Sequence, residues 1–139
     1  MKRLVTILMV AGMLTACGGG GGGGGSSTPA LPPSVDISGT WKGSVTETAF
    51  GTSTNTLNAA MTASGSTTGT YSSYYGTGSV TGTVSANTLT YTLSPTGCTG
   101  TLNGTGVVVG SSMTIAFSGT YVCNGTTYND SGTGTLTKQ

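Results

Sequence analysis

The chain has 139 residues, a formal net charge of +1, no histidine, and 5% charged residues. This length allows one small domain. The missing histidine removes the commonest side chain for acid–base catalysis and metal binding, and the low charge leaves no basic surface for a nucleic acid.

The N terminus has the composition of an export signal. Lys2 and Arg3 supply a positive start, and residues 4–14 are an almost entirely apolar run. A run of about eleven residues is too short for a bilayer core, which needs roughly 20. It fits the apolar middle of a signal peptide, so we predict that residues 1–16 are one.

Leu14-Thr15-Ala16-Cys17 stands directly behind the apolar run. It resembles the lipobox of bacterial lipoproteins, which implies cleavage before Cys17, a diacylglycerol on its sulfur and an acyl chain on its amine. In that family, Gly18 after the cysteine implies the outer membrane. Several acyl chains would anchor the protein at about 0.8 kcal/mol per buried CH₂. The alternative is an ordinary secretory signal that is cleaved after Ala16.

Residues 17–36 read as a linker. Glycine fills positions 18–25, and serine, threonine and proline dominate the following residues. Polyglycine loses the most backbone entropy on ordering, so we expect this segment to be disordered. Residues 18–34, as a flexible coil, would span roughly 20–25 Å. A phosphate-binding glycine loop is excluded because no lysine, strand or helix start flanks the glycines.

Residues 37–139 are predicted to be all β. Apolar residues alternate with threonine and serine at a period of two, as in residues 88–93, and no helical periodicity is present. Glycine, asparagine and proline mark the turns. The predicted strands are 39–48, 55–64, 68–75, 77–85, 88–94, 98–109, 112–123 and 131–138.

The cysteines test the register of one hairpin. If Gly110-Ser111 is a two-residue loop, paired residue numbers sum to 221, and Cys98 faces Cys123. This is a non-hydrogen-bonded pair with Cα atoms about 4.5 Å apart, within the range that a disulfide allows. Because exported proteins meet an oxidising compartment, we predict a Cys98–Cys123 disulfide. The alternative is two free, buried thiols.

The same register places glycines opposite bulky residues, as expected inside a tightly curved sheet. Open edges on so weakly charged a sheet would invite aggregation, and closing the sheet removes them. We therefore predict an eight-stranded antiparallel up-and-down barrel, with a two-sheet sandwich as the alternative. The predicted inward residues are Trp41, Val45, Leu57, Ala59, Met61, Val80, Val84, Leu89, Tyr91, Leu93, Leu102, Met113, Ile115, Phe117, Tyr121 and Leu136.

The first predicted strand carries a family resemblance. Gly39-Thr40-Trp41 resembles the Gly-x-Trp motif of lipocalins and the Gly-Thr-Trp motif of avidins. In both families this tryptophan closes one end of the barrel, which implies that role for Trp41. Lipocalins place an arginine over the tryptophan, and Lys138 is the candidate for that position here.

The third predicted strand and the whole domain carry two further resemblances. Residues 69–73 are similar to the avidin Gly-Thr-Tyr strand, in which Tyr71 and Ser73 match positions that hydrogen-bond biotin. Residues 39–139 also resemble uncharacterised Gly/Thr-rich bacterial lipoproteins with cysteines in the later strands. That second resemblance implies no activity.

The residues for catalysis are few. Beyond the predicted signal, the only carboxylates are Asp36, Glu47 and Asp130, and serine and threonine lack an activating histidine. Asp36 precedes the first predicted strand, and we expect Asp130 in the last loop, away from Glu47. The sequence therefore predicts a protein that is not an enzyme and has neither a cofactor nor a metal site.

Two functions fit such a barrel. One is binding of a small apolar ligand, with an interior pocket lined by Trp41, Tyr71, Tyr91, Phe117 and Tyr121. The alternative is a structural or protein-interaction module of the cell envelope, with these aromatics filling the interior and Tyr74, Tyr75 and Tyr128 as contacts. A cavity of roughly 300 Å³ or more would favour the first function.

Overall fold

The computed structural model describes residues 35–62 and 64–139, with only the backbone at Met61. The predicted signal peptide, Cys17 and the linker up to residue 34 lie outside the described residues. The strands are β1 Gly39–Glu47, β2 Gly51–Met61, β3 Ser66–Ser72, β4 Thr77–Ser85, β5 Thr88–Pro95, β6 Cys98–Val109, β7 Ser112–Cys123 and β8 Thr126–Lys138.

These eight strands form a closed antiparallel barrel in which every strand pairs with its chain neighbours and β1 pairs with β8. The predicted up-and-down barrel is thus confirmed, and the sandwich alternative is wrong. Within the described part of the chain, no helix has the length and hydropathy needed to cross a membrane.

Three strands begin earlier than predicted: β3 by two residues, at Ser66, and β2 and β8 by more. β2 begins at Gly51 instead of residue 55, because its first inward side chains are polar ones, Ser53 and Asn55, that no apolar alternation reveals. β8 begins at Thr126 instead of residue 131. Asn124 and Gly125 have φ angles of 50° and 78°, the positive values of a type I′ turn, which returns the chain at once into pairing.

The β6–β7 register is the predicted one. Gly110 and Ser111 form the loop, Val108 pairs with Met113, and Cys98 pairs with Cys123. The two cysteines form a disulfide, with their Cα atoms 4.5 Å apart. The hairpin geometry therefore brings the sulfurs together without any displacement of the strands.

Glycines on the concave face let the strands approach each other. Tyr91 pairs with Gly82 on β4 and with Gly104 on β6, so one large ring has a glycine on either side. A Cβ atom added at Gly43 would overlap the carbonyl oxygen of Thr135 on β8. A side chain at such a position would push neighbouring strands apart.

One end of the barrel is closed. The chain enters there, where the amide of Val35 donates a hydrogen bond to the carbonyl of Ala86 at 2.8 Å. Trp41 is fully buried, and its Nε1 donates to the carbonyl of Ile37 at 2.8 Å. Lys138 Nζ lies 5.6 Å from the centroid of the Trp41 ring, within cation–π range.

The hydrophobic core fills the closed end and continues along the inner face of the barrel wall. Ile37 and Val108 join it although neither is in the predicted inward set, because Ile37 precedes the first strand and Val108 lies in a run of three valines. The buried core is Ile37, Trp41, Val45, Leu57, Val80, Val84, Leu89, Tyr91, Leu102, Val108, Met113, Phe117, Tyr121 and Leu136.

We expect Gly43→Ala to lower the free energy of unfolding by about 1–3 kcal/mol, because the added methyl group meets backbone atoms of β8. Gly76→Ala is the matched control, since a Cβ there meets nothing within 4 Å; it should change stability by less than about 0.5 kcal/mol. Urea denaturation of the two variants measures both values. Equal stabilities would contradict the role given to the inward glycines.

Candidate ligand cavity

The open half of the barrel contains a cavity of about 290 Å³. It lies between the core and the end at which loops 48–50, 73–76, 96–97 and 124–125 connect the strands. Its walls are Val45, Glu47, Phe50, Asn55, Thr56, Leu57, Tyr71, Ser73, Tyr75, Gly76, Thr77, Val80, Leu89, Tyr91, Leu93, Pro95, Thr96, Cys98, Leu102, Ile115, Phe117, Tyr121, Cys123, Tyr128, Asp130 and Leu136.

The interior is filled at one end and open at the other because of which side chains point inward. At the closed end these are large, with Trp41 and Met113 fully buried. Towards the loops, inward positions fall on residues such as Ser53, Gly78 and Gly132. These side chains are too small to fill a barrel of eight strands.

Four of the five aromatics predicted to line a pocket do lie on the cavity wall: Tyr71, Tyr91, Phe117 and Tyr121. Trp41 does not. It faces inward but stands near the start of β1, at the closed end, where it packs beneath the cavity. That these four side chains bind a ligand stays a prediction.

Further aromatic residues surround the open end. The ring of Tyr75 stacks on Phe50 with centroids 4.9 Å apart, and Phe50 lies 5.6 Å from Tyr128. Tyr128 in turn stacks on Tyr121 at 5.3 Å. We call these four residues the mouth aromatics. The Tyr75 hydroxyl donates to the Phe50 carbonyl at 2.7 Å, which fixes the ring over the entrance.

The sequence analysis did not place Phe50, Tyr75 or Tyr128 on the cavity wall: it named Tyr75 and Tyr128 only as candidate contacts for a partner and did not single out Phe50. The inward direction of Tyr128 could have been predicted from β8, because Tyr128 and Leu136 are an even number of residues apart and therefore face the same side of the strand. Tyr75 and Phe50 lie in the loops after β3 and β1, and no periodicity predicts the direction of a loop side chain. Only the closed barrel brings them together.

The disulfide also borders the cavity. Cys98 and Cys123 both lie on its wall, at the end of the β6–β7 hairpin that is distant from the loop at Gly110. A covalent link at this position holds β6 and β7 together beside the mouth, and both cysteines pack against the edge of the core.

The position of Asp130 differs from the prediction. We expected it in the last loop, but it lies on β8, points into the barrel and is only 5% exposed. The type I′ turn explains this, because β8 begins directly after it and therefore includes Asp130. Within β8, Asp130 faces the same side as Leu136, which is the inside of the barrel. Its Oδ1 accepts hydrogen bonds from Thr48 Oγ1 at 3.1 Å and from the amide of Ala49 at 3.0 Å.

Glu47 lies on the same wall and is half-buried. Among the described residues, its carboxylate has no hydrogen-bond or ion-pair partner. Burial raises the pKa of Glu47, and the negative charge of Asp130 raises this pKa further. The structure therefore brings together two carboxylates that the sequence analysis kept apart.

Three tyrosines of the cavity wall, Tyr71, Tyr91 and Tyr121, are neutral at physiological pH. Burial raises the pKa of Tyr71 to about 12, with smaller contributions from Tyr121 and Glu47. The pKa of Tyr121 is also raised to about 12, first by burial and then by Asp130 and Glu47. Burial raises the pKa of Tyr91 as well, and its hydroxyl donates to the Ala116 carbonyl at 3.3 Å.

The wall is thus apolar and aromatic, with a carboxylate pair on one side. Of the two lysines in the described residues, Lys42 is exposed on the outer face and Lys138 lies at the closed end, so neither borders the cavity. No group of three His, Cys, Asp or Glu side chains that could hold a metal ion occurs in residues 35–62 and 64–139.

Comparison with known proteins finds one solved structure of interest. The chain is similar to a protein of unknown function from the DUF3598 family of Nostoc punctiforme, with 14% sequence identity and a TM-score of 0.47. The match covers 82% of this chain and 53% of that chain, so this chain spans about half the length of the other protein. No protein-family model and no curated protein matches.

We expect Glu47→Gln to stabilise the protein at pH 7. Because the folded-state pKa of Glu47 is raised, its contribution to stability is fully present below pH 4.5 and is lost as pH rises through the higher folded pKa. Above that pKa the charged carboxylate costs stability that the glutamine amide does not. Urea denaturation at pH 4 and pH 7 should show the gain at pH 7 alone.

Asp36→Asn is the control for this pH dependence. The pKa of Asp36 is lowered by hydrogen bonds from Ser38, so its contribution is present above the unfolded pKa and is lost as pH falls. The asparagine variant should therefore not gain stability at pH 7. A Glu47→Gln variant that behaves like Asp36→Asn would contradict the burial of the Glu47 charge.

Proposed function

We propose that this protein is a non-enzymatic, membrane-anchored lipoprotein whose barrel binds a small apolar ligand. The observation that carries the binding role is the cavity of about 290 Å³ inside the open half of the barrel. Ligand pockets typically measure about 300–1,000 Å³. The cavity lies at the lower limit of that range and therefore suits a small molecule.

The wall chemistry supports this role. Leu93 and Ile115 are inward aliphatic side chains that the core leaves partly uncovered, and both lie on the cavity wall with Tyr71 and Phe117. Burying an apolar molecule against such side chains is favourable by roughly 25 cal/mol per Å² before the cost of association. The mouth aromatics provide an entrance of matching polarity.

The structure of the closed end supports the proposal that this is a lipocalin-like barrel. Trp41 closes the barrel near the start of β1, and the Lys138 ammonium lies over its ring. That arrangement is the one implied by the resemblance of Gly39-Thr40-Trp41 to lipocalins. In such a barrel the ligand enters at the opposite end, and here that end carries the mouth aromatics.

The membrane anchor is supported by sequence alone. Residues 14–17 form the lipobox-like motif behind a signal-like segment, and the glycine at position 18 favours the outer membrane. The lipid on Cys17 would hold the protein at the membrane, and residues 18–34 would connect it to the barrel. The ligand then reaches the cavity in the cell envelope.

One observation favours the alternative function, a structural or interaction module of the envelope. Tyr74 is 86% exposed at the tip of the β3–β4 loop and lies edge-on to Tyr75 at 5.1 Å. Exposed tyrosines are common in protein interfaces. A barrel that takes up no small molecule would leave this loop as the functional surface.

We expect wild-type protein to bind the neutral fluorescent probe N-phenyl-1-naphthylamine and Leu93→Trp to bind it at least about tenfold more weakly, because the indole fills the cavity. Val109→Trp is the matched control. Val109 is 71% exposed, does not border the cavity, and adds the same fluorophore. Fluorescence titration measures the affinities. No binding by the folded wild type, or equal binding by both variants, would refute the cavity role.

We expect the mature protein from a bacterial host that processes lipoproteins to begin at Cys17 and to carry acyl chains. Intact-mass spectrometry should show the mass of the lipid in the wild type and not in Cys17→Ser. Detergent phase partition should move only the wild type into the detergent phase. An unmodified chain that begins at Cys17, with both variants in the aqueous phase, would support the ordinary secretory signal instead.

A further inference from the structure

We propose that the cavity selects a small organic cation, an amine with an apolar or aromatic body, over a neutral or anionic molecule of the same shape. This inference rests on the proposed binding function and adds the class of ligand. The feature that leads to it is the pair of carboxylates, Glu47 and Asp130, on a wall that is otherwise mostly aliphatic and aromatic.

Asp130 is placed to receive a donor from the cavity. It is 95% removed from solvent, yet both of its hydrogen bonds, from Thr48 and Ala49, end on Oδ1. Among the described residues none ends on Oδ2, so that oxygen is available to a ligand. Oδ2 is not enclosed, because no buried side-chain oxygen of the described residues lacks a hydrogen-bond partner. An ammonium group that reaches Oδ2 from the cavity would complete the hydrogen bonding of the carboxylate.

Glu47 supplies a second negative charge close by. Its carboxylate is half-buried and has no described hydrogen-bond partner. The negative charge of Asp130 raises the pKa of Glu47, so the two carboxylates are close enough to repel each other. Since neither Lys42 nor Lys138 borders the cavity, no described cation offsets this field.

The aromatic wall suits the rest of such a ligand. Tyr71, Tyr121 and the stacked Tyr128 present their rings to the cavity beside the carboxylates, and burial keeps the hydroxyls of Tyr71 and Tyr121 neutral. A cation over such faces is attracted by the negative charge of the ring faces. An anion would meet two carboxylates and electron-rich rings, and would be repelled by both.

A metal ion fits the site less well. Hard divalent cations take six or more oxygen ligands in close geometry, whereas two carboxylates and a ring of tyrosines offer few. No cluster of three acidic, histidine or cysteine side chains occurs in the described ranges. The apolar volume beside the carboxylates is instead what the body of an organic amine requires.

The test compares three ligands of nearly one shape: phenethylamine, 2-phenylethanol and 3-phenylpropanoate. Calorimetric titration at pH 7 into the folded wild type should give an affinity for the amine at least about tenfold above that for the alcohol, and weaker still for the carboxylate. Glu47→Gln should reduce the affinity for the amine about tenfold and leave that for the alcohol unchanged.

Two further variants keep the result interpretable. Asp130→Asn should reduce amine binding as Glu47→Gln does, and circular dichroism checks that each variant is folded. Asp36→Asn removes the same charge at the closed end, far from the cavity wall, and should leave all three affinities unchanged. A preference lost equally in Asp36→Asn would reflect net charge alone and would refute the inference.

The outcomes separate this inference from the proposed function. Equal affinities for amine and alcohol, together with binding of N-phenyl-1-naphthylamine, would overturn the cation selectivity and leave the ligand-binding role intact. Absence of binding for all four molecules would overturn both. A preference for the amine that disappears in Glu47→Gln would support both.

Discussion

The barrel depends on one steric constraint: at several places along its concave face, the strands approach so closely that a large inward side chain lies opposite a glycine. Phe117 illustrates this, because it pairs with Gly104 on one side and with Gly132 on the other. A Cβ added at Gly132 would lie 2.5 Å from Cζ of Phe117. Strands can then approach closely and curve tightly enough for eight of them to close.

The same constraint shapes the cavity. Where the inward residues are large, as Trp41 and Met113 are, the interior is filled. Where the inward positions pass to serine, glycine and short polar side chains, the curvature persists but the volume is empty. The packed side chains of the closed end therefore stabilise the fold, and the open end contains the cavity. Glu47 and Asp130 can occupy inward positions there because glycines lie opposite them: Gly51 and Gly132 pair with Glu47, and Gly119 pairs with Asp130.

The hairpins show how much of the fold the sequence predicts. The period of two, the glycines and the two-residue loop at 110–111 fix the β6–β7 register, and with it the Cys98–Cys123 pairing. The boundaries of β2 and β8 were missed, because polar inward residues such as Ser53 and Asp130 do not stand out from a polar outer face. Alternation reveals a strand only where its inner side is apolar.

The site was predicted less completely than the fold, for a related reason. Tyr71, Tyr91, Phe117 and Tyr121 were identified because strand parity fixes their direction. Trp41 also faces inward, but the alternation of a strand does not say at which end of the barrel an inward side chain lies. Phe50 and Tyr75 lie in loops, and the sequence analysis also assigned Asp130 to a loop. Asp130 lies beside the loop that carries Phe50 because β1 pairs with β8.

The entry of the chain at the floor of the barrel has a practical consequence. Val35 joins the domain beside Ala86, whereas the entrance to the cavity is at the far rim. A tag, bead or sensor chip coupled through the N terminus would therefore hold the domain by its base. Solutes would have free passage to the rim, and changes to the four rim loops would leave the point of attachment untouched.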